Sequence, residues 1–493
     1  MPRSPVKISP RNYAWGVGGI ADNLLTFGLA WTIIPIFNIG YGVDAFWLGV
    51  VIFFPRLIDV LTDPIMGVIS DRTRGRFGRR RPYILLGAIG MAVLFALLWM
   101  PPLGPLHPST TPVAVGGSGP WGLPPLPQGP ELTLLLWIGG IYTLITLAYT
   151  VFSVPYIALG YEFTRNYDEM TKMMASRLYF SCLASFGVTW IYNLAVSDRF
   201  GGDETVGMRT VGVFVAVAVI VTGVVPALVC TETVRTERPR TKVDLRQLFG
   251  ATLGNRAFVL VMSAMLIFVI ALYTSGTMGA HIGIYYVARG DKQLGTQLGA
   301  VSGNIMIACN VIGMYLMMRL SRTFSKRAVL LCCFTLMFLG NASYWWTWSP
   351  QYPWLQYISA VIIGFGNSGI WLMLDSMIGD VTKDDEARSG VQREGLYGAS
   401  KTFMFKIAVA VTSITGALVL NVSGFEPHVP PGPEVLLNLR LLFIGLQCGG
   451  TALAFAAIWF FPITRERAEA NERVIAARQS AALLDQQPAT QAP

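Results

Sequence analysis

Two carboxylates lie one helical turn apart within an apolar part of the sequence. Asp59 and Asp63 belong to the stretch RLIDVLTDP at residues 56–64, and their spacing of four places both on one face of a helix. Because such carboxylates repel each other at low dielectric, either one keeps a proton or a cation binds between them. The pair therefore predicts a site for a proton or another coupling cation. The alternative is a pair of structural salt bridges to Arg56 or Lys406.

Three more ionisable side chains lie in apolar stretches, where a charge is costly and marks a functional candidate. Asp22 is expected to bind a solute hydroxyl or to hydrogen-bond to a neighbouring helix. Lys406 needs an anionic partner, for which Asp59 and Asp63 are the first candidates. Arg177 lies at the predicted start of an apolar stretch, where it contacts a solute or sets the membrane topology.

One tryptophan lies deep within an apolar stretch. Trp371 follows Gly364, Gly366 and Gly369. An indole face packs well on the C–H face of a sugar, so Trp371 is a candidate contact for a sugar-like solute. The alternative is the anchoring role that tryptophans play at membrane interfaces.

The elements that must position these residues are membrane-spanning helices. The 493 residues are 53% hydrophobic and 13% charged, whereas soluble domains are roughly 25% charged. The formal charge of +9 comes from short basic clusters between apolar stretches, a pattern that indicates topology rather than nucleic-acid binding. Six cysteines and three histidines lack metal-ligand spacing, so we expect no cofactor, no disulfide and no metal cluster.

Twelve apolar stretches are long enough for a bilayer, which a helix crosses in about 20 residues. We predict an all-α membrane protein of twelve transmembrane helices in two six-helix halves, with the lipid bilayer as its surroundings. The predicted spans are 13–37, 44–70, 82–101, 132–160, 175–197, 209–230, 257–289, 296–319, 327–348, 353–379, 395–421 and 436–461.

Basic residues concentrate in the loops that follow even-numbered spans. The loops at 71–81, 231–256 and 319–327 are rich in arginine and lysine, whereas 102–131 contains neither. Since such residues accumulate in cytoplasmic loops, both termini are expected in the cytoplasm. The predicted organisation is a cytoplasmic N-terminus at 1–12, a first half at 13–230, a cytoplasmic middle loop at 231–256, a second half at 257–461 and a cytoplasmic tail at 462–493.

The loop DRTRGRFGRRR at residues 71–81 combines an acidic helix end with several arginines. Asp71, with Arg72, Arg79 and Arg80 nearby, is suited to charge-assisted bonds with the other half in one conformation only. The loop therefore predicts a gate. Its alternative is an ordinary positively charged cytoplasmic loop.

These motifs, in this order, resemble those of one transporter family. The loop at 71–81 is similar to the loop between spans two and three of the major facilitator superfamily. The stretch RLIDVLTDPIMG at 56–67 resembles the glycoside–pentoside–hexuronide:cation symporters, the family of the melibiose permease. The resemblance covers roughly residues 13–420.

Two further stretches fit the same family and extend the resemblance to other residues. One runs from SVPY at 153–156 to Arg177, and the other from Asp380 to Lys406. By resemblance, Asp59 and Asp63 match the carboxylates of a cation site, and Lys406 matches a lysine that links that site to the sugar site. The residues that we assign to the sugar are Asp22, Arg177, Trp371 and Tyr156, and those that we add to the gate are Asp380, Arg393 and Glu394.

The sequence departs from the melibiose permease at two positions. Ser153 replaces an aspartate, and Ile157 replaces a nearby tryptophan. Because that carboxylate is missing, we expect proton coupling at Asp59 and Asp63 at least as much as sodium coupling. Ser153 is a further candidate ligand for the cation. The loop RFGRRRP at 76–82 also resembles the sucrose:proton transporters, which favours protons and a glucoside-type solute.

Together these features predict a secondary active transporter in a cell inner or plasma membrane. It would carry a sugar or glycoside with a proton or sodium by alternating access, functioning as a monomer. The alternatives are a carrier of a lysolipid or other amphipathic solute within the same superfamily, and a membrane sensor that binds solute without transport. An enzyme is not expected, because the sequence has no nucleophile–base set and no phosphate-binding loop.

Overall fold

The computed structural model describes residues 10–73, 77–106, 124–161, 167–200, 202–230, 254–391, 393–426 and 429–485. Most of the predicted middle loop at 231–256 and of the loop at 102–131 lies outside these residues. Within the described residues, twelve helices are long and apolar enough to span a membrane, which confirms the predicted fold class.

The twelve spans are α1 Tyr13–Gly40, α2 Ala45–Arg72, α3 Arg81–Leu98, α4 Gly129–Gly160, α5 Lys172–Val196, α6 Glu204–Val229, α7 Arg256–Val287, α8 Lys292–Thr323, α9 Lys326–Thr347, α10 Pro353–Ser389, α11 Glu394–Val422 and α12 Pro433–Trp459. A further helix, α13 Arg465–Asp485, follows the last span. Helices suit these apolar stretches because they satisfy every interior backbone hydrogen bond without water. Short polar side chains cap several of them, as where Asp44 accepts the backbone N–H of Phe46 at 2.8 Å.

The two groups of six helices repeat one packing arrangement. In the first half α1 packs on α5 and α6, α3 on α4 and α6, and α2 on α4. In the second half α7 packs on α11 and α12, α9 on α10 and α12, and α8 on α10. The first helix of each half also ends in a π-helical turn, at Ile36–Gly40 and at Ile282–Val287. The halves are therefore structural repeats.

The halves meet through α2 with α11, α5 with α8, and α1 with α7. Gly49 brings α2 against α11, since an added Cβ would lie 2.5 Å from the carbonyl oxygen of Ser413. Gly303 of α8 plays the equivalent part, because its Cβ would lie 2.8 Å from the Thr189 methyl group of α5. Small residues of this kind permit close helix contacts in membranes. We call the side where α1 begins and α12 ends the terminal side, and the other the opposite side.

Two helices, α5 and α10, extend furthest beyond one of their predicted bounds. The helix that forms α5 begins at Tyr167 rather than at 175, which places Arg177 in the helix interior instead of at its start. Helix α10 continues past 379 to Ser389 and ends before Gly390, whose φ of 71° is the left-handed conformation that glycine adopts readily after a helix. The second extension carries polar residues at the terminal side of α10.

The tail helix α13 docks on this extension of α10. Arg467 donates to both carboxylate oxygens of the buried Asp384, at 2.8 and 3.1 Å. Lys383 donates to Glu472 at 2.6 Å, and this hydrogen bond holds the pKa of Glu472 below its usual value. Because that pKa is lowered, the contact stabilises docking near neutral pH and is lost as the pH falls through the folded-state value.

Candidate functional site

The ammonium group of Lys406 connects the two halves at a pair of carboxylates. From α11, its Nζ donates to Oδ2 of Asp59 at 2.7 Å and to Oδ2 of Asp63 at 2.5 Å, both on α2. The hydroxyl of Thr150 on α4 donates to Oδ1 of Asp59 at 3.0 Å. We call Asp59, Asp63, Thr150 and Lys406 the carboxylate cluster. Its charged side chains are partly exposed, so water and ions can reach them.

The carboxylate cluster holds two acidic groups and one basic group. Oδ1 of Asp63 is buried and accepts no hydrogen bond within the described part of the chain. A buried carboxylate oxygen without a partner is costly and gains from receiving a proton or a cation. Carboxylate and hydroxyl oxygens are also the ligands that hard cations prefer. The residues present therefore fit a site for a coupling cation.

A second cluster lies entirely within the first half. Oδ2 of Asp22 on α1 accepts from Nη2 of Arg177 on α5 at 2.7 Å, and Oδ1 accepts from the hydroxyl of Tyr149 on α4 at 2.7 Å. We call Asp22, Tyr149 and Arg177 the arginine cluster. All three are partly buried. Together they present a carboxylate, a phenol and a guanidinium, which can donate to and accept from the hydroxyls of a polar solute.

Tyr156 supports the arginine cluster from behind. Its side chain has no exposed surface, and its hydroxyl donates to the backbone carbonyl of Trp15 at 2.8 Å. The guanidinium of Arg177 lies over its ring, 5.5 Å from the centroid. The sequence predicts solute contact at Tyr156; the geometry in this conformation instead fits a residue that orients Arg177.

Trp371 lies in the second half and contacts the residue that precedes Lys406. Its ring makes edge contacts with Phe268 of α7 and Phe405 of α11, at centroid distances of 6.1 and 6.0 Å. Phe405 directly precedes Lys406 in the sequence. Trp371 is half-buried against the core of the second half, so part of the indole remains exposed near the middle of α10.

A cavity in the first half connects the two clusters. It lies between α1, α2 and α4, and its lining includes Asp59 of the carboxylate cluster and Tyr149 of the arginine cluster. The other lining residues are Leu25, Thr26, Leu29, Arg56, Tyr142, Ile145 and Thr146. Because Tyr149 also donates to Asp22, this cavity lies between Asp59 and the arginine cluster.

Two members of these clusters are not among the residues predicted from the sequence. Thr150 and Tyr149 share one face of α4 with Thr146 and with the predicted residue Ser153, which is buried one turn beyond Thr150. Polar residues at intervals of three or four on an apolar helix are the available signal. Neutral hydroxyls are common at helix contacts in membranes, so this signal is weaker than that of a charge.

The predicted gate residues lie on the terminal side. Arg80 donates to Asp71 of its own half at 2.8 Å, and Lys326 donates to both oxygens of Asp380 at 2.7 and 2.8 Å. Arg393 lies 3.4 Å from Asp385. Each of these bonds stays within one half. The remaining predicted gate residues are Arg72 and Glu394, which are exposed, and Arg79, which is half-exposed.

The opposite side is sealed by polar contacts between the halves. Lys292 of α8 donates to Glu204 of α6 at 2.5 Å, and Glu204 is buried. Nε2 of the buried His281 lies 3.0 Å from Oδ1 of Asn38, at the two π-helical turns. An apolar cluster that includes Ala45 of α2 and Leu420 of α11 adds to this seal. These contacts are not predicted from the sequence, since the partners are far apart in the chain.

The terminal side carries exposed charges inside the spans. Asp375 of α10, one turn after Trp371, pairs with Lys401 of α11, and its side chain is 57% exposed. A charged side chain within a span faces water rather than lipid. An exposed ion pair thus lies toward the terminal end of α10 and α11, whereas buried polar contacts join the halves on the opposite side.

Comparison with known proteins agrees with this geometry. The family described as MFS/sugar transport protein matches residues 14–465, and the chain belongs to that family. Its membership makes it a transporter of the major facilitator superfamily rather than an enzyme. A mutant of the nucleoside transporter NupG has the same fold in its crystal structure, with a TM-score of 0.64 over 92% of this chain and all of that one at 11% identity.

Two curated relatives span nearly the whole chain. The glucuronide carrier protein homolog of Escherichia coli K12 is 22% identical over 471 residues, 92% of each protein. The putative glycoside/cation symporter YagG of the same organism is 23% identical over 484 residues, 93% of each protein. These matches agree with the resemblance found in the motifs, and they place an integral membrane protein among symporters.

Proposed function

We propose that this protein is a symporter that couples a sugar or glycoside to a cation, with a proton as the coupling ion. The observation that carries the proposal is the bridge from Lys406 to Asp59 and Asp63, because it joins the halves at the two carboxylates best suited to a cation. The names of the two relatives, a glucuronide carrier and a glycoside/cation symporter, point the same way.

In this mechanism the coupling cation and Lys406 compete for the same carboxylate oxygens. Without a bound cation, the ammonium of Lys406 occupies them and holds α11 against α2. Protonation of Asp59 or Asp63 weakens that attraction and allows the halves to move. Because coupling between two ligands is reciprocal, the solute must strengthen cation binding as much as the cation strengthens solute binding.

We place the solute at the arginine cluster and assign a further contact to Trp371 of the second half. Asp22 accepts from sugar hydroxyls, and Arg177 and Tyr149 donate to them or to ring oxygens. The Trp371 indole covers an apolar C–H face. A lysolipid would gain little from such a concentration of polar groups, so a hydroxylated solute is favoured.

A proton suits the carboxylate cluster better than sodium does. A proton needs one carboxylate oxygen, and Asp63 Oδ1 is without a partner in the described residues. Sodium needs several oxygens at once, and beside the two carboxylates the cluster supplies the neutral hydroxyl of Thr150, while Lys406 adds a competing positive charge. We place both termini in the cytoplasm of a cell inner membrane, from the basic loops on the terminal side, with the monomer as the functional unit.

The proposal is tested by counterflow of radiolabelled solutes in membrane vesicles. The panel comprises glucosides, galactosides, pentosides, glucuronides and one lysolipid. Wild-type protein should exchange at least one sugar. The Asp63→Asn variant should still exchange that sugar but should no longer accumulate it against its concentration gradient. Asp198→Asn, an exposed change on the opposite side, is the matched control. Exchange of the lysolipid alone, or of nothing, would overturn the proposal.

A further inference from the structure

An ion pair between the halves on the opposite side has no part in the mechanism above. Glu204 is the first residue of α6 and Lys292 is the first residue of α8, so each half contributes one partner. Nζ of Lys292 donates to Oε1 of Glu204 at 2.5 Å. The side chain of Glu204 is 4% exposed, whereas that of Lys292 is 36% exposed. The carboxylate therefore depends on its partner more than the ammonium does, because an uncompensated buried charge is costly.

The surroundings of the pair leave Lys292 as the compensating charge. The phenols of Tyr192 on α5 and Tyr285 on α7 interact with Glu204, and a phenol is neutral near neutral pH. The N-terminus of a helix favours an acidic side chain and disfavours a basic one. Lys292 therefore gains nothing from the dipole of α8, and its position is explained by the carboxylate across the contact between the halves.

Each partner is fixed to the π-helical turn of its own half. An added Cβ at Gly40, the last residue of the turn in α1, would lie 2.7 Å from Cγ of Glu204. An added Cβ at Gly295, three residues after Lys292, would lie 2.8 Å from Cα of Ile284 in the turn of α7. Contacts this close leave little room for either partner to move apart from its turn. The ion pair and the two turns therefore separate together when the halves separate on this side.

We propose that Glu204 and Lys292 form a latch that holds the opposite side closed and favours the conformation described here. The inference rests on the proposed function in one respect, because alternating access requires this side to open. Opening moves α8 away from α6 and lets water replace Lys292 as the hydrogen-bond donor to Glu204. Neither partner belongs to the carboxylate cluster or the arginine cluster. The latch therefore sets which conformation is populated and leaves the binding groups unchanged.

Removal of either partner should shift the population toward the conformation that is open on the opposite side. Lys292→Gln leaves the Glu204 carboxylate uncompensated as long as it is buried, so the closed conformation loses stability. Glu204→Gln removes the attraction between the halves, and the partly exposed Lys292 can be solvated. In each variant we expect the ratio of open to closed protein to rise by at least about tenfold.

Thr296 of α8 is a suitable place for a reporter of this opening. Its side chain is 8% exposed, and its hydroxyl accepts from Nδ2 of Asn193 in the first half at 3.0 Å. A cysteine at this position is therefore shielded as long as the halves meet here. With both termini placed in the cytoplasm, a membrane-impermeant maleimide reaches it in intact cells only from the opposite side. The same proteins without Thr296→Cys give the background labelling of the native cysteines.

The experiment measures the rate at which the maleimide alkylates Thr296→Cys and, separately, the amount of each variant in the membrane. Glu204→Gln and Lys292→Gln should each raise the rate by at least about tenfold. The double variant should rise no further than the more strongly affected single variant, since both substitutions remove the same interaction. The matched controls Asp198→Asn and Arg199→Gln remove exposed charges on the same side and should leave the rate unchanged.

An unchanged rate in both single variants would overturn the inference. So would two effects that multiply to about 100-fold in the double variant, because the two side chains would then act independently. Glu204→Gln leaves no buried charge behind. Its rate therefore decides the question alone if Lys292→Gln does not reach the membrane.

Alkylation needs no solute, so its result is separate from that of the sugar exchange experiment. If the latch variants open more readily but the wild type exchanges no sugar, the proposed function fails and the latch stands. If the wild type exchanges sugar and the alkylation rates stay unchanged, only the role of Glu204 and Lys292 is wrong.

Discussion

The two charged clusters differ in how they are distributed over the halves. The arginine cluster draws Asp22, Tyr149 and Arg177 from α1, α4 and α5, all within the first half. The carboxylate cluster takes Asp59 and Asp63 from α2 but Lys406 from α11 of the second half. One cluster therefore keeps its geometry when the halves move, and the other must change.

This difference separates two tasks. A solute site within one half can hold its solute through a movement of the halves, because its own hydrogen bonds persist. An ion site whose basic partner comes from the other half responds to that movement. Protonation of the carboxylates and separation of the halves both weaken the same ion pairs, those of Lys406 with Asp59 and Asp63. We therefore assign the polar part of solute recognition to the first half and coupling to the contact between α2 and α11.

The largest expected effect comes from breaking the cluster that lies within one half. Asp22→Asn removes the charge that pairs with Arg177 and an acceptor for solute hydroxyls. We expect solute affinity to fall by about 100-fold, as for loss of a buried charged hydrogen bond worth about 3 kcal/mol. Equilibrium binding of the solute that wild-type vesicles exchange measures this effect.

Asp22→Glu, which keeps the charge, should lose less affinity. An Asp22→Asn variant that binds solute normally would show that the arginine cluster is a structural contact between α1 and α5.

A smaller effect is expected from the cluster that crosses the halves. Lys406→Gln removes the competitor of the coupling cation, so solute exchange should continue while accumulation falls by at least about fivefold, the low end of typical coupling energies. Lys401→Gln on the same helix is the matched control. Equal losses in the two variants would mean that the position of Lys406 against Asp59 and Asp63 has no special role.

The smallest effect is expected at Thr150. Thr150→Val keeps the shape of the side chain but removes the hydrogen bond to Asp59, which is worth about 1 kcal/mol. We expect the proton concentration for half-maximal transport to change by roughly threefold to tenfold. Thr150→Ser, which keeps the hydroxyl, should behave as the wild type, and a change of the same size in Thr150→Ser would exclude the hydrogen bond as the cause.

The sequence predicts the helices and the charged residues better than their neutral partners. Twelve spans follow from apolar length alone, and a lone lysine such as Lys406 in an apolar helix requires an acidic partner. By contrast, Thr150 and Tyr149 carry no charge, and their spacing along α4 is a weak signal, because ordinary polar residues at helix contacts show it too. The predicted start of α5 is too late because 167–174 is polar, and this makes Arg177 look interfacial.

The polar contacts that close the opposite side could not be predicted from the sequence, for a different reason. Glu204 and Lys292 lie at helix ends, where a charge is ordinary, and their pairing depends on how the two halves meet. The pairing of Asn38 with His281 likewise follows from the matching π-helical turns of α1 and α7. Such contacts belong to one conformation of the protein. The same sequence adopts every conformation of the transport cycle, so it does not indicate which contacts form in one of them.

The main role that we propose for Asp59 and Asp63 is to carry the proton that drives solute movement. This role is tested most directly by the pH change that a transported sugar causes in lightly buffered, de-energised vesicles. We predict alkalinisation of the medium on addition of the sugar to wild-type vesicles, and none in Asp63→Asn vesicles that still exchange it. Sugar uptake that needs sodium and leaves the pH unchanged would contradict proton coupling, and alkalinisation that persists in Asp63→Asn would contradict the assignment of the carboxylates.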